Sequence, residues 1–275
     1  MAEITARIPN IDWDKGFERH WNGGDPVSTH FFNALSFSFP QGERLFIDVV
    51  RRASRHPDLQ ISDELRKDIK CFIMQEALHT KHHEYYNNIL EEQGYKNIIY
   101  DLVEKMNDKA NKHLSSLSQL AVVSAYEHYT AIMSDYLLSN PWLLEKSPKP
   151  MLLIWLWHAV EETEHKAVCY DLYVQAGGGF FRRIFYFAIV SVGFVASFYY
   201  LYFSMLKRDG WCKIKALPRT LFRLSKLLFG RKGLGWHLLF HSLKYFSPTF
   251  HPWDDDNKEL REKWLNENNA SLKIA

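Results

Sequence analysis

Residues 158–165 read His158-Ala159-Val160-Glu161-Glu162-Thr163-Glu164-His165, and residues 76–79 read Glu76-Ala77-Leu78-His79. Each contains a Glu-x-x-His step, which places a carboxylate and an imidazole one helical turn apart on the same face. A four-helix bundle that holds two metal ions takes this step from two of its helices and a lone Glu from each of the other two. Both lone glutamates are present: Glu43 lies 33 residues upstream of Glu76, and Glu127 lies 35 upstream of Glu162. The chain therefore reads as two similar helical hairpins.

Helical spacing sorts the residues around these motifs. Glu76, His79 and His83 fall within about 60° of arc, as do His158, Glu162 and His165. Glu161 sits at the margin of the second face, Glu164 well off it, and His82 points elsewhere, toward the surface. Seven side chains make up the expected ligand set: Glu43, Glu76, His79, Glu127, His158, Glu162 and His165. His83 and Glu161 are expected behind the ligands, His83 as a supporting base or a further ligand. Four carboxylates facing one another inside a bundle would be costly without cations. Two divalent ions neutralise them, and mixed oxygen and imidazole donors suit iron or manganese better than a structural zinc.

Breaks in the pattern bound the elements. The first forty residues read as an irregular arm with a turn at Gly23-Gly24-Asp25-Pro26, and Pro40 opens the first helix. A second helix runs from Ser62-Asp63-Glu64 to Gly94. Residues 95–113 are weakly periodic and long enough to be a crossover along the bundle. Helix three covers Leu114 to Ser139, and helix four covers Pro148 to Gln175, stopped by Gly177-Gly178-Gly179. A short polar helix over Asn257 to Asn268 closes the chain. The expected division is a metal-binding bundle with its arm at 1–179 and a hydrophobic, basic helical appendage at 180–275.

With 275 residues, 47% hydrophobic and 15% aromatic, the chain can bury a large core. Its three cysteines, Cys71, Cys169 and Cys212, form no CxxC pair. That argues against a disulfide framework or thiolate zinc and fits a reducing cytoplasm. The first twenty residues carry charges throughout and show no secretory h-region.

The net charge of +2 conceals an asymmetry: residues 180–245 hold twelve Lys/Arg against the single Asp209. Within that block, Ile184 to Leu206 is a run of 23 uncharged residues flanked by Arg182, Arg183, Lys207 and Arg208. The run reaches the ~20 residues that cross a bilayer, but its tyrosines and serines weaken it as a span. The heavier positive charge on its C-terminal side would also place the metal bundle outside the cell. An interfacial helix on the inner, anionic face of the membrane is the favoured reading. A buried helix or a homodimer contact is the other use of such a run. Nucleic acid is disfavoured as a partner because the charges adjoin a continuous apolar run and no nucleic-acid motif is present.

Several strings together resemble a known group, the ferritin-like bacterial family known as predicted metal-dependent hydrolases. They are Phe39-Pro40-Gln41-Gly42-Glu43-Arg44, Gln75-Glu76-xx-His79-xxx-His83, Glu127-His128-xx-Ala131, His158-xx-Glu161-Glu162-x-Glu164-His165 and Phe250-His251-Pro252-Trp253. The resemblance implies an all-α, ferritin-like four-helix bundle with a long crossover. The triad His158-xxx-Glu162-xx-His165 is also similar to that of the di-iron p-aminobenzoate N-oxygenases. That similarity implies two iron ions, O2 as co-substrate and an electron donor protein. The leading expectation is thus an O2-dependent oxygenase or oxidase acting on a small, hydrophobic, lipid-like molecule. A hydrolase whose two metals activate water is the first alternative, and a non-catalytic iron-binding or redox-sensing protein is the second.

Overall fold

Pro40 does not open a helix in the computed structural model, which describes residues 4–57 and 59–275; it lies inside one. Helix α1 spans Pro26–Ser54, so residues 26–40 of the expected arm are helical. It starts where it does because the Asp25 side chain accepts from the Val27 N–H and Pro26 takes the first helical position. A proline in a helix interior frees carbonyls one turn earlier. Here Asn87 Nδ2 donates to Ser36 O at 2.9 Å and Asn97 Nδ2 donates to Phe37 O at 2.7 Å. Two asparagines distant in sequence thus carry the helix through the proline. Replacing Asn87 with Leu strands the Ser36 carbonyl in the interior and is expected to cost about 1–3 kcal/mol. A thermal melt unchanged from the parent protein would refute this.

The remaining elements are α2 (Asp63–Glu92), α3 (Tyr100–His113), α4 (Ser116–Ser139), α5 (Lys149–His165), α6 (Val168–Gln175), α7 (Phe180–Arg208), α8 (Leu217–Phe229), α9 (Leu234–Lys244) and α10 (Lys258–Asn268). The fold is an all-α bundle. Its small sheet pairs β1 (Arg7–Pro9) antiparallel to β2 (Leu272–Ile274), with Arg7 opposite Ile274. Ser62 and Ser115 cap α2 and α4 through their hydroxyls.

Most of the weakly periodic segment at 95–113 forms α3, and none of that helix's residues is fully buried. One further expectation needs correction. The fourth helix is divided into α5 and α6 at Lys166 and Ala167. No glycine or proline marks that break. His165 turns into the bundle while the buried Lys166 ammonium binds Asp255 O and Asn257 Oδ1 on another side, so tertiary contacts accompany it.

Helix α1 packs on α2, and α4 packs on both α5 and α1. Residues after 180 add to this core: Phe198, Leu201, Tyr202, Leu224, Leu228 and Trp264 share one apolar cluster with Phe32, Trp155 and Trp157. Helix α7 is long and apolar enough to cross a membrane. One of its sides is packed against α1 and α4, while Phe181, Phe185 and Val192 on another are exposed at 85%, 60% and 72%.

Candidate metal centre

Helices α1, α2, α4 and α5 each deliver acidic or imidazole side chains to one buried space. Glu43, Glu76, His79, Glu127, His158, Glu162 and His165 are all at most 4% exposed. Glu162 stands at the middle. Its Oε1 lies 2.9 Å from His158 Nε2 and 3.7 Å from His79 Nδ1, and its Oε2 lies 3.3 Å from His165 Nε2. On the His165 side, Nε2 is also 3.2 Å from Glu76 Oε1 and 3.5 Å from Glu127 Oε2. On the other side, donor atoms of Glu43, His83 and His158 lie within 4.8 Å of one another.

Many of these donor atoms have no partner. Both oxygens of Glu43, Glu76 and Glu127, together with Glu162 Oε2, His79 Nδ1 and His165 Nε2, are buried without a hydrogen bond. Unpartnered buried polar atoms are rare and expensive. Donors bound about 2.1 Å from a shared ion sit roughly 3 Å apart, which is the spacing around His165 Nε2. The residues present would suit two cations, one among Glu76, Glu127, Glu162 and His165, the other where the groups Glu43–His83–His158 and His79–His158–Glu162 adjoin, with Glu162 common to both sides.

The electrostatics agree with that reading. Burial first, then the charges of Glu162, Glu127 and Glu43, push the Glu76 carboxyl well above the usual carboxylate range. Burial also raises Glu43 and Glu127 strongly. For Glu162 burial acts in the same direction, but the charge of His165 and the hydrogen bond from His158 outweigh it and hold the group well below that range. His79 is pushed down by burial and then by His158, so it is the neutral imidazole that a metal requires. Cation uptake would expel protons from the raised carboxyls, and affinity should increase with pH.

The far nitrogens of the histidines are engaged by a surrounding layer. His79 Nε2 meets Glu161 Oε2 at 3.1 Å, and Glu161 Oε1 accepts from the Arg7 backbone N–H at 2.8 Å. His165 Nδ1 meets Gln75 Oε1 at 3.0 Å; Gln75 Nε2 donates to Glu164 Oε2 at 2.9 Å, and Arg7 grips Glu164 with both terminal nitrogens. His158 Nδ1 meets His83 Nε2 at 2.7 Å, His83 Nδ1 meets Ser36 Oγ at 2.9 Å, and Ser36 Oγ donates to Asn87 Oδ1 at 2.7 Å. Were an ion to replace the His158–Glu162 hydrogen bond, His158 Nε2 would carry no proton and each proton in this last chain would point outward, away from the site. Such supporting contacts set tautomer and ring orientation.

Sequence reading missed part of this layer. Glu164 is off the ligand face but buried against Arg7, and a helix pattern cannot show that the N-terminal segment supplies its cation. His82, expected at the surface, is 6% exposed and accepts from Trp13 Nε1 at 3.1 Å, because the same segment covers it. Replacing Glu161 with Ala should weaken cation affinity at the position served by His79 about 10–100-fold. Titration calorimetry giving the parent affinity would remove Glu161 from this role.

Two cavities reach the centre. One, with about 650 Å³ of empty space, runs between α1, α4 and α5 to Leu227 and Leu234; the other, about 870 Å³, runs between α1, α3 and α7. They share Phe39, Thr130, His158 and Glu162, and Phe39 rests 4.8 Å, ring to ring, from His158.

A helical bundle with a buried, carboxylate-rich cluster of candidate ligands defines a metal-dependent protein. The chain belongs to the family described as "predicted metal-dependent hydrolase", which matches residues 5–256. No curated protein and no solved structure matches it.

Proposed function

We propose that the protein is an enzyme with a dinuclear metal centre, most simply two iron ions, that couples O2 to oxidation of an apolar substrate. The observation that carries this reading is the lining of the two cavities. Neither contains a charged side chain other than the candidate ligands Glu43, His158 and Glu162; most of the rest are aromatic or aliphatic, with small neutral residues such as Thr130, Ser134, Asn107 and Ser197 among them. Such walls bind and orient a hydrophobic molecule and exclude water, and they offer a departing alkoxide or amine no acid of its own.

Two bound iron ions would supply electron transfer to O2, with an external donor protein restoring them. The chain's own residues do the rest. Glu162 holds the two positions together, and the His158–His83–Ser36–Asn87 chain fixes the His158 tautomer and can accept or return a proton at Nδ1. Thr130 is the polar group that both cavities share beside the ligands, and its hydroxyl donates to Glu127 O at 3.0 Å.

The family description favours a second reading, in which two metals activate water for hydrolysis. Metal analysis of anaerobically purified protein, followed by mixing the reduced form with O2 in a stopped-flow spectrometer, separates the two. About two irons per chain that are oxidised by O2 support the oxidoreductase. Two ions indifferent to O2, with turnover of ester or amide substrates, replace it with the hydrolase.

A further inference from the structure

The second cavity ends at a face unlike the rest of the surface. Its outer wall is α7, where Gly193 and Ser197 stand one turn apart, opposite Val103 and Met106 of α3. A Cβ placed on Gly193 would meet nothing within 4 Å, so this stretch of α7 leaves a gap. On the α7 side the exposed residues around it are apolar, Val192 at 72% among them; on α3 the exposed Met106, at 50%, stands among the exposed Lys105, Asp108 and Lys109. Beyond α7, the amphipathic α8 and α9 continue the pattern with Phe222 at 68% and Phe240 at 61%.

Basic residues surround these side chains. Lys207, Lys213, Lys215, Arg219, Lys226 and Arg231 are all exposed, against one acidic residue in 180–245, Asp209, whose carboxylate is turned inward to His20, His30 and Tyr95. Exposed aromatic residues interleaved with unopposed cations suit an anionic lipid surface and would be poorly served by water alone. The helix lies along such a surface rather than through it, because its other side is committed to the protein: Arg183 bonds the Tyr170 hydroxyl, Tyr245 O and Ser247 O, and Tyr202 donates to Val27 O.

We infer that the face made by α7, α8 and α9 docks on an anionic membrane and that a long-chain acyl lipid drawn from it enters past Gly193 and Ser197 to reach His158 and Glu162. This names a substrate class for the site proposed above and rests on that reading only for the chemistry that follows binding.

The test uses the full-length, metal-loaded protein with two probes that involve no turnover. In sedimentation with vesicles, the protein should bind phosphatidylcholine containing phosphatidylglycerol, release in high salt, and ignore pure phosphatidylcholine. Reversing Lys215, Arg219 and Lys226 to Glu should lower partitioning by at least about a hundredfold, at roughly fivefold per basic residue lost. Gly193→Trp fills the gap; it should leave metal content and vesicle binding unchanged and reduce affinity for a fluorescent long-chain fatty acid tenfold or more. Equal binding to neutral vesicles, a dimer that covers α7 with no vesicle binding, or unchanged fatty-acid affinity in Gly193→Trp would each overturn the inference. Failure of the oxidoreductase reading shows separately, as fatty-acid binding without any response of the centre to O2.

Discussion

Glu162→Ala is expected to abolish metal binding at both positions and all activity while leaving the helix content intact. The other carboxylates each serve one side most closely: Glu127 approaches His165, whereas Glu43 belongs with His83 and His158. Glu162 alone places one oxygen 2.9 Å from His158 and the other 3.3 Å from His165. Its loss would leave each proposed cation position short of a donor and remove the one carboxylate that faces both. The fold should survive, because the cage is an electrostatic burden on the empty protein: four buried carboxylates face one another with unpartnered oxygens. Plasma mass spectrometry of the purified variant reads the stoichiometry, and circular dichroism reads the fold. Two ions retained at parental affinity would refute the assignment of the centre. Glu127→Ala, by comparison, should lose the ion on the His165 side first.

The second large effect concerns stability away from the centre. Asp209, at the end of α7, accepts from His20, His30 and Tyr95 at 2.6–2.8 Å and pairs with Arg19, so one carboxylate ties α7 to α1, to the N-terminal segment and to the start of the crossover. Three imidazole or phenol donors and an arginine occupy it fully, which is why this cluster is a clamp and not a cation site. Asp209→Ala should cost about 3 kcal/mol, from several charge-assisted bonds lost at a carboxylate only 4% exposed. Burial opposes the charged form, but bonds from His30, Tyr95 and His20 hold the folded carboxyl far below its usual range. Burial also lowers His30. Both folded-state shifts are downward, so their stabilisation is fully present above the unfolded values and is lost as pH falls, first below about 6.5 for His30 and then below about 4 for Asp209. Denaturant melts of the parent and Asp209→Ala proteins should therefore draw together only as pH falls well below about 4, where the folded carboxyl takes up its proton; a difference that persists unchanged through that range would contradict this account.

Local rules recover much of the architecture. The Ser62-Asp63-Glu64 start, Pro148 and the stop after Ser139 are short-range signals, and they locate α2, α4 and the start of α5 closely. Near-equal spacing from Glu43 to Glu76 and from Glu127 to Glu162 is enough to pair the hairpins and to name seven side chains that the fold brings into one cage. What escaped were features whose cause lies in another part of the chain. Pro40 looks like a helix start because its obstruction is local, whereas the asparagines that relieve it, Asn87 and Asn97, come from beyond the next turn of the bundle.

The layer behind the ligands is tertiary for the same reason. Arg7 reaches Glu161 by its backbone and Glu164 by its side chain only because β1 is held across the end of the molecule by β2, some 265 residues later. The apolar run in α7 shows the same division. Sequence alone determines that 23 uncharged residues form a long helix between basic ends, since length and composition are properties of the segment. Which side of that helix enters the core and which is left bare is decided by the grooves of α1 and α4. A one-dimensional pattern contains the residues of a site, but their burial, their partners and the cavities that lead to them depend on surfaces that exist only after the helices have packed.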